Sequence, residues 1–235
     1  ANSISCDIKT GLSEEDIISI VQNYSGIVVR SATKITENII SAGKNLKVIG
    51  RAGIGVDNID IKKATEKGIV VMNTPYGNSI TTAEHTISLM MSLARNIPQA
   101  NSSTHQKKWE KSKFMGTELY NKKIGMIGCG NIGSIVVERC LGLKMKVNVY
   151  DPFLSEAEVS KIGASKISFE ELLLSSDFIT LHTPLTNETK NILNKENLLK
   201  CKKGVRIINC ARGGLIEEEA LIELITIGHV GGAAL

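Results

Sequence analysis

Gly128-Cys129-Gly130-Asn131-Ile132-Gly133 fits the spacing G-x-G-x-x-G. The chemistry of such a stretch lies in missing side chains. Gly128 permits a tight turn, Gly130 lets a pyrophosphate approach the backbone, and Gly133 lets a helix pack closely on a strand. Ile124, Met126 and Ile127 form a short apolar run before the turn, which suits a buried parallel strand. A helix opening at Asn131 offers free N–H groups and a positive dipole end to phosphates. Val147, Val149 and Tyr150 make the next strand. Asp151 closes it, 151 − 128 = 23 positions after the first glycine. A carboxylate there accepts hydrogen bonds from a ribose 2′-OH and repels a 2′-phosphate, which favours NAD over NADP.

Other predicted strand ends carry polar or flexible groups: Arg51 with Gly53 behind it, Asn73, His182 to Pro184, and Cys210 to Gly214. Arg212, between a strand and a glycine pair, is the best catalytic candidate. Its planar fork can clamp a carboxylate bidentately and polarise an adjacent carbonyl oxygen. Were a dinucleotide at this site to take a hydride from a hydroxyl-bearing carbon, a base for the hydroxyl proton would also be needed. The chain has four histidines, His85, His105, His182 and His229, and none is singled out as that base. His182 is read as support for a strand end beside Thr183.

These residues need a scaffold, and composition bounds it. The chain has 235 residues, 42% hydrophobic and 22% charged, enough for a sizeable core. A net charge of +4 is too small to argue for nucleic acid or a membrane, but it suits an anionic small substrate. Cys6, Cys129, Cys140, Cys201 and Cys210 show neither a C-x-x-C pair nor zinc spacing. They read as reduced thiols of a cytoplasmic protein that holds no metal. No apolar run reaches membrane-spanning length, and no signal pattern opens the chain. The chain starts at Ala1, and its α/β pattern starts and stops abruptly, so it reads as a fragment.

Periodicity supplies the elements. Residues 1–74 read as a small α/β unit with a helix over 14–21, strands at 26–30, 46–50 and 69–73, and a helix over 61–67. Ser31 and Thr33 are candidate caps for a turn after the first strand. The glycine-rich turn from Arg51 to Asn58 exposes N–H groups able to cradle an anion. The longest helix spans about 79–97, with Ile80, Ala83, Ile87, Met90, Met91, Ala94 and Ile97 on one face. Thr81 and Glu84 fit a capping box near its start, and Pro98 marks its end. Residues 101–114 read as a polar, basic surface stretch. Beyond the glycine motif, helices at 170–174, 195–199 and 217–227 alternate with strands at 178–181, 205–209 and 231–235. Such alternation implies an α/β fold with a doubly wound parallel sheet, its ligands at the carboxyl ends of the strands.

The chain resembles the D-isomer-specific 2-hydroxyacid dehydrogenases. The resemblance rests on VRSATK (29–34), GRAGIGVDNID (50–60), VVMNTPYGNS (70–79), KWEKSKFMGTEL (108–119), the GCGNIG turn, VYDP (149–152), HTPLT (182–186) and KKGVRIINCARGG (202–214). It implies two Rossmann-like doubly wound domains: a discontinuous substrate domain, present here in part as residues 1–74, and an NAD-binding domain over 75–235. It implies NAD-dependent oxidation of 3-phospho-D-glycerate to 3-phosphohydroxypyruvate, opening the phosphorylated route to serine. A sister activity on glycerate, glyoxylate or lactate, or an NAD-binding corepressor on the same fold, stays open.

The resemblance also assigns roles. Arg212 holds the substrate carboxylate and carbonyl. Gly128, Gly130, Gly133, Asn131, Ile132, Asp151, Thr183, Cys210, Ala211 and Ile54 fall among the cofactor contacts. Arg30, Arg51, Gly53 and Asn73 fall around the substrate, and Lys111 falls where relatives send a cation across a dimer interface. The family's acid/base glutamate and histidine follow the GAAL strand, which puts them beyond Leu235 and leaves this stretch unable to turn over efficiently. A homodimer or homotetramer, with no nucleic-acid or membrane partner, is implied as well.

Overall fold

The computed structural model describes residues 4–235. Compact packing divides the chain between Asn78 and Ser79 into two units.

The first unit carries a three-stranded parallel sheet in the order β1-β2-β3. Its elements run α1 (Glu14–Val21), β1 (Gly26–Val29), α2 (Glu37–Ala42), β2 (Val48–Arg51), α3 (Ile61–Glu66) and β3 (Val70–Asn73). Each helix starts on a side chain that accepts an otherwise orphaned N–H: Ser13 with Asp16 as a capping box, Thr36, and Asp60. The cap of α2, a helix the periodicity did not announce, is Thr36. The helices bury one face of the sheet, where Val29 and Ile49 pack with Val21, Ile39, Ile40 and Ala64. On the other face Val28, Val70 and Met72 are exposed.

The second unit opens with α4 (Ser79–Ala94), α5 (Ile97–His105) and a 3-10 turn at Lys111–Phe114. Then come β4 (Lys123–Ile127), α6 (Asn131–Gly142), β5 (Lys146–Tyr150), α7 (Glu156–Lys161), β6 (Ser165–Lys166), α8 (Phe169–Ser175), β7 (Phe178–Leu181), α9 (Lys195–Lys200), β8 (Val205–Asn209), α10 (Glu218–Thr226) and β9 (Val230–Ala234). The six strands are parallel, in the order β6-β5-β4-β7-β8-β9. Counted from β4, that is 3-2-1-4-5-6, the doubly wound order that reverses beside its first strand. Strand alternation sorts the core into two layers. Ile124, Met126, Val147, Val149 and Phe178 pack under α4, α6 and α7. Ile127, Ile179, Leu181 and Ile207 pack under α8, α9 and α10. A parallel sheet covered on both faces explains why these strands read as apolar runs.

Three expectations for the long helix fail. α4 ends at Ala94, and Asn96 takes the left-handed conformation at φ 53°. Pro98 sits in the first turn of α5, where its missing N–H leaves no bond unmade, so it starts a helix and does not end one. The start of the polar stretch, residues 101–105, therefore lies in α5. The buried stripe of α4 is Ser79, Ala83, Thr86, Met90 and Ala94, while Ile80, Met91 and Ile97 are exposed. Thr81 and Glu84 lie inside the helix, not at its cap, and Glu84 pairs with Arg139 of α6 at 3.6 Å. Among the described residues no helix is long and apolar enough to cross a membrane, and all five cysteines are free thiols.

Candidate active site

The glycine corner sits where strand order reverses, between the carboxyl ends of β4 and β7. Gly128 adopts φ +87°, and a Cβ there would lie 2.7 Å from the carbonyl oxygen of His182. A Cβ at Gly133 would lie 2.8 Å from the Gly128 carbonyl oxygen. Both positions exclude a side chain, the first by turn and contact, the second by helix–turn packing. Gly130 differs: nothing lies within 4 Å of where its Cβ would be, so the corner is open on that side.

Gly130 is also the N-cap of α6, and no side chain caps this helix. Asn131 is exposed and Ile132 half-buried beside it. Backbone N–H groups left without side-chain acceptors, on an exposed glycine turn, form the cradle a pyrophosphate requires. Asp151 directly follows β5 next to this corner and is only 8% exposed. Its Oδ2 accepts from Cys129 N and its Oδ1 from Phe153 N, each at 2.9 Å. Beside that charge, and mainly through burial, the Cys129 thiol is pushed up to about 11. It stays a neutral, inert thiol.

Arg212 reaches the same sheet edge from β8. β7 alone separates β8 from β4, which puts the two strand ends roughly 10 Å apart at the usual strand spacing. The turn that carries Arg212 is built by Asn209. Asn209 Oδ1 accepts from Ala211 N at 3.0 Å, and its Nδ2 donates to the Arg212 carbonyl at 2.8 Å. Arg212 Nη1 donates to the Ala211 carbonyl at 2.8 Å, which turns the guanidinium back along the loop. A cavity of about 460 Å³ opens there, lined among others by Thr82, His85, Cys210, Arg212, Glu218 and Leu235. Burial raises the Cys210 thiol, and a hydrogen bond with the Thr86 hydroxyl partly offsets this.

In this unit, then, Gly128, Gly130, Asn131, Ile132, Gly133, Asp151, Thr183, Cys210, Ala211 and Arg212 all stand at the carboxyl edge of one sheet. Lys111 lies apart, exposed on the 3-10 turn that packs on α5. In the first unit Val29, Arg51 and Asn73 align across β1, β2 and β3, and Arg30 follows directly on β1. Arg51 Nη1 donates to the Ala52 carbonyl at 3.0 Å, and its buried Nε has no partner among the described residues. Gly53 leaves room for that guanidinium, since a Cβ there would collide with it. Asn73 Nδ2 donates to the Ile54 carbonyl at 2.8 Å, fixing the glycine-rich turn. The arginines, Gly53, Ile54 and Asn73 thus form one cluster at the carboxyl ends of the small sheet.

Three of the histidines have fixed partners. His105 Nδ1 lies 2.9 Å from the Asn101 carbonyl, His229 Nε2 3.0 Å from the Leu198 carbonyl, and His182 Nε2 3.0 Å from Thr180 Oγ1. His85, on the exposed side of α4, shares the cavity with Arg212. Sequence reasoning missed Asn209 and Thr86. An asparagine one residue before a turn is a known Asx signal and could have been used. Nothing local announces that Thr86 faces a thiol 124 positions later (210 − 86).

The D-isomer specific 2-hydroxyacid dehydrogenase, NAD binding domain family matches residues 87–235. A D-3-phosphoglycerate dehydrogenase of Synechocystis is 53% identical over 97% of this chain, which covers 41% of that protein. One from Bacillus subtilis is 51% identical over 95% of the chain, covering 45% of that protein. The chain thus spans less than half the length of these curated relatives. Among solved structures, a D-lactate dehydrogenase of Aquifex aeolicus, complexed with NAD and lactic acid, superposes with a TM-score of 0.86. It is 32% identical, with 92% of this chain and 65% of that one covered.

Proposed function

The chain belongs to the D-isomer-specific 2-hydroxyacid dehydrogenases, and on that premise we propose that it serves NAD-dependent oxidation of 3-phospho-D-glycerate to 3-phosphohydroxypyruvate. The observation that carries the substrate is the 53% identity, over 97% of the chain, to a relative of that name. Residues 79–235 form the cofactor unit, and residues before them contribute to a substrate unit that the rest of the protein completes.

The exposed corner at Gly130 and the uncapped start of α6 fit a pyrophosphate. Asp151 fits the ribose hydroxyls, and Thr183, Cys210 and Ala211 fit the nicotinamide half; the family resemblance adds Ile54 of the first unit to the cofactor contacts. When bound, NAD supplies the acceptor for the hydride that leaves C2. Arg212 clamps the substrate carboxylate and polarises the C2 oxygen as it becomes a carbonyl. The family resemblance adds Arg30, Arg51, Gly53 and Asn73 of the first unit to the substrate contacts, and the two cations among them suit a phosphate. The C2 hydroxyl proton passes to a base beyond Leu235. His182 and His229 are bound within the fold, and His85 alone of the four histidines lines the Arg212 cavity. If the base lies beyond Leu235, His85→Ala leaves kcat within about threefold; a loss of roughly 10²–10⁴-fold would make His85 the base.

The protein acts in the cytoplasm as a homodimer or homotetramer. Exposed Met91, Ile97, Trp109 and Met115 on and after α4 and α5 support an interface there, with Lys111 reaching the partner's site. The deciding experiment follows NADH fluorescence in the full-length protein with 3-phosphoglycerate, glycerate, lactate and glyoxylate. Preference for the phosphorylated acid supports the proposal. Preference for a plain hydroxy or keto acid assigns a sister activity, and no turnover with any of them favours a corepressor.

A further inference from the structure

His182 takes no part in the proposed hydride transfer, yet it lies directly under the glycine corner. β7 delivers it there. Residues two apart on a strand share a face, so His182 continues the face of Thr180 on the side that carries α6. Thr180 is fully buried, and its Oγ1 holds the ring at Nε2, 3.0 Å away. The backbone N–H of His182 donates to the Ile127 carbonyl at 2.8 Å, tying the end of β7 to the last residue before Gly128. The His182 carbonyl stands 2.7 Å from where a Gly128 Cβ would be, and its own Cβ 3.6 Å from where a Gly133 Cβ would be. His182 therefore stands where a side chain at either turn-shaping glycine would meet it. It leaves untouched Gly130, the one that faces solvent.

We propose that His182 is a positioning residue for the dinucleotide: tethered by Thr180, it sets the height of the Gly128–Gly133 corner and so aims the first N–H groups of α6 at the pyrophosphate. This rests on the dinucleotide site assigned above. The ring is neutral at working pH, since desolvation draws its pKa down to about 4. It supports the corner by shape and one hydrogen bond, and adds no charge to the anion site. Removing the ring opens a hole into which the corner can sink, and removing the tether frees the ring to turn. Either change loosens contacts to the pyrophosphate while leaving the adenosine end alone.

The test uses the full-length protein and measures NADH, ADP-ribose and adenosine affinities by calorimetry. In His182→Ala and Thr180→Val, NADH and ADP-ribose weaken by about tenfold, the scale of one lost hydrogen bond and its alignment, while adenosine changes less than about twofold. His182→Gln, whose amide can reach Thr180, restores binding to within about threefold of wild type. Unchanged ADP-ribose affinity in the variants overturns the proposal. So does an equal loss for adenosine and ADP-ribose, the mark of a general structural defect. Should His182→Ala fail to fold, Thr180→Val decides by the same two ratios. A wild-type protein that binds neither NADH nor ADP-ribose refutes the dinucleotide reading itself, and this inference with it.

Discussion

Both carboxylate oxygens of Asp151 already accept a backbone N–H, one from the glycine corner and one from the loop after β5. In the proposed complex a ribose shares an acid that also braces its own binding site. Asp151→Ser therefore does more than remove a barrier to a 2′-phosphate. Hydrogen bonds to a charged group contribute about 1.5–3 kcal/mol, so NADH affinity falls roughly 10–100-fold. NADPH affinity does not rise above its wild-type value, and fluorescence titration with both nucleotides checks this. Asn209 works in a similar way on the substrate side, since it spans the loop that carries Arg212. Asn209→Ala lowers kcat/KM for the hydroxy acid about tenfold or more and leaves NADH affinity within about threefold, as expected when positioning of one arginine is lost. Steady-state kinetics beside the titration separates the two effects.

At the scale of elements, the joint between β4 and α8 leaves no room for a side chain. Gly125, in the middle of β4, faces Leu172 and Ser176, and a Cβ there would lie 2.6 Å from Leu172 Cδ2 and closer still to Ser176 Oγ. Ser176 Oγ is itself held, donating to the Leu172 carbonyl at 2.6 Å. Neither neighbour is the loose end of a flexible chain. Gly125→Ala destabilises the second unit by about 1–3 kcal/mol through overpacking, read as a lower denaturation midpoint with an unchanged slope. The opposite lesson comes from α4 and α5. Hydropathy alone joins them into one helix, because Ile97 continues the apolar spacing. The left-handed turn at Asn96 breaks the chain there, and a short polar side chain tolerates that conformation.

For the whole molecule, acid is the revealing perturbation. The pKa of His182 is about 4 in the folded chain against an ordinary 6.5. Above pH 6.5 the ring is neutral folded or unfolded, and its effect on stability is constant. As pH falls from 6.5 toward 4 the unfolded chain takes up a proton that the folded chain refuses, so stability drops across that window. Glu14, Asp16, Glu158 and Asp177 are held below their ordinary values, the first three by side-chain or backbone hydrogen bonds, and Asp177 by those to Lys123 and Lys202 against its desolvation. Their share is lost at lower pH, through the carboxylate range. Melting temperatures from pH 7 to 4 fall in wild type before the carboxylates titrate, and His182→Gln flattens that early part.

Much of this protein was legible in its residues because the signals are local. The glycine corner, the acid at the next strand end, the apolar runs of β4, β7 and β8 and the arginine after β8 each depend on spacing within one segment. The strand runs at 178–181 and 205–209 and the helix start at Asn131 agree with the observed elements. What escaped was decided by partners distant in sequence. Which stripe of α4 is buried depends on α6 and the sheet lying against it, so Thr86 goes in while Ile80 and Met91 stay out. The roles of Asn209 and His182 need the loop and the corner already in place. Periodicity reports that a segment has an apolar face; only the assembled layers determine which face is covered, and which polar groups are buried with it.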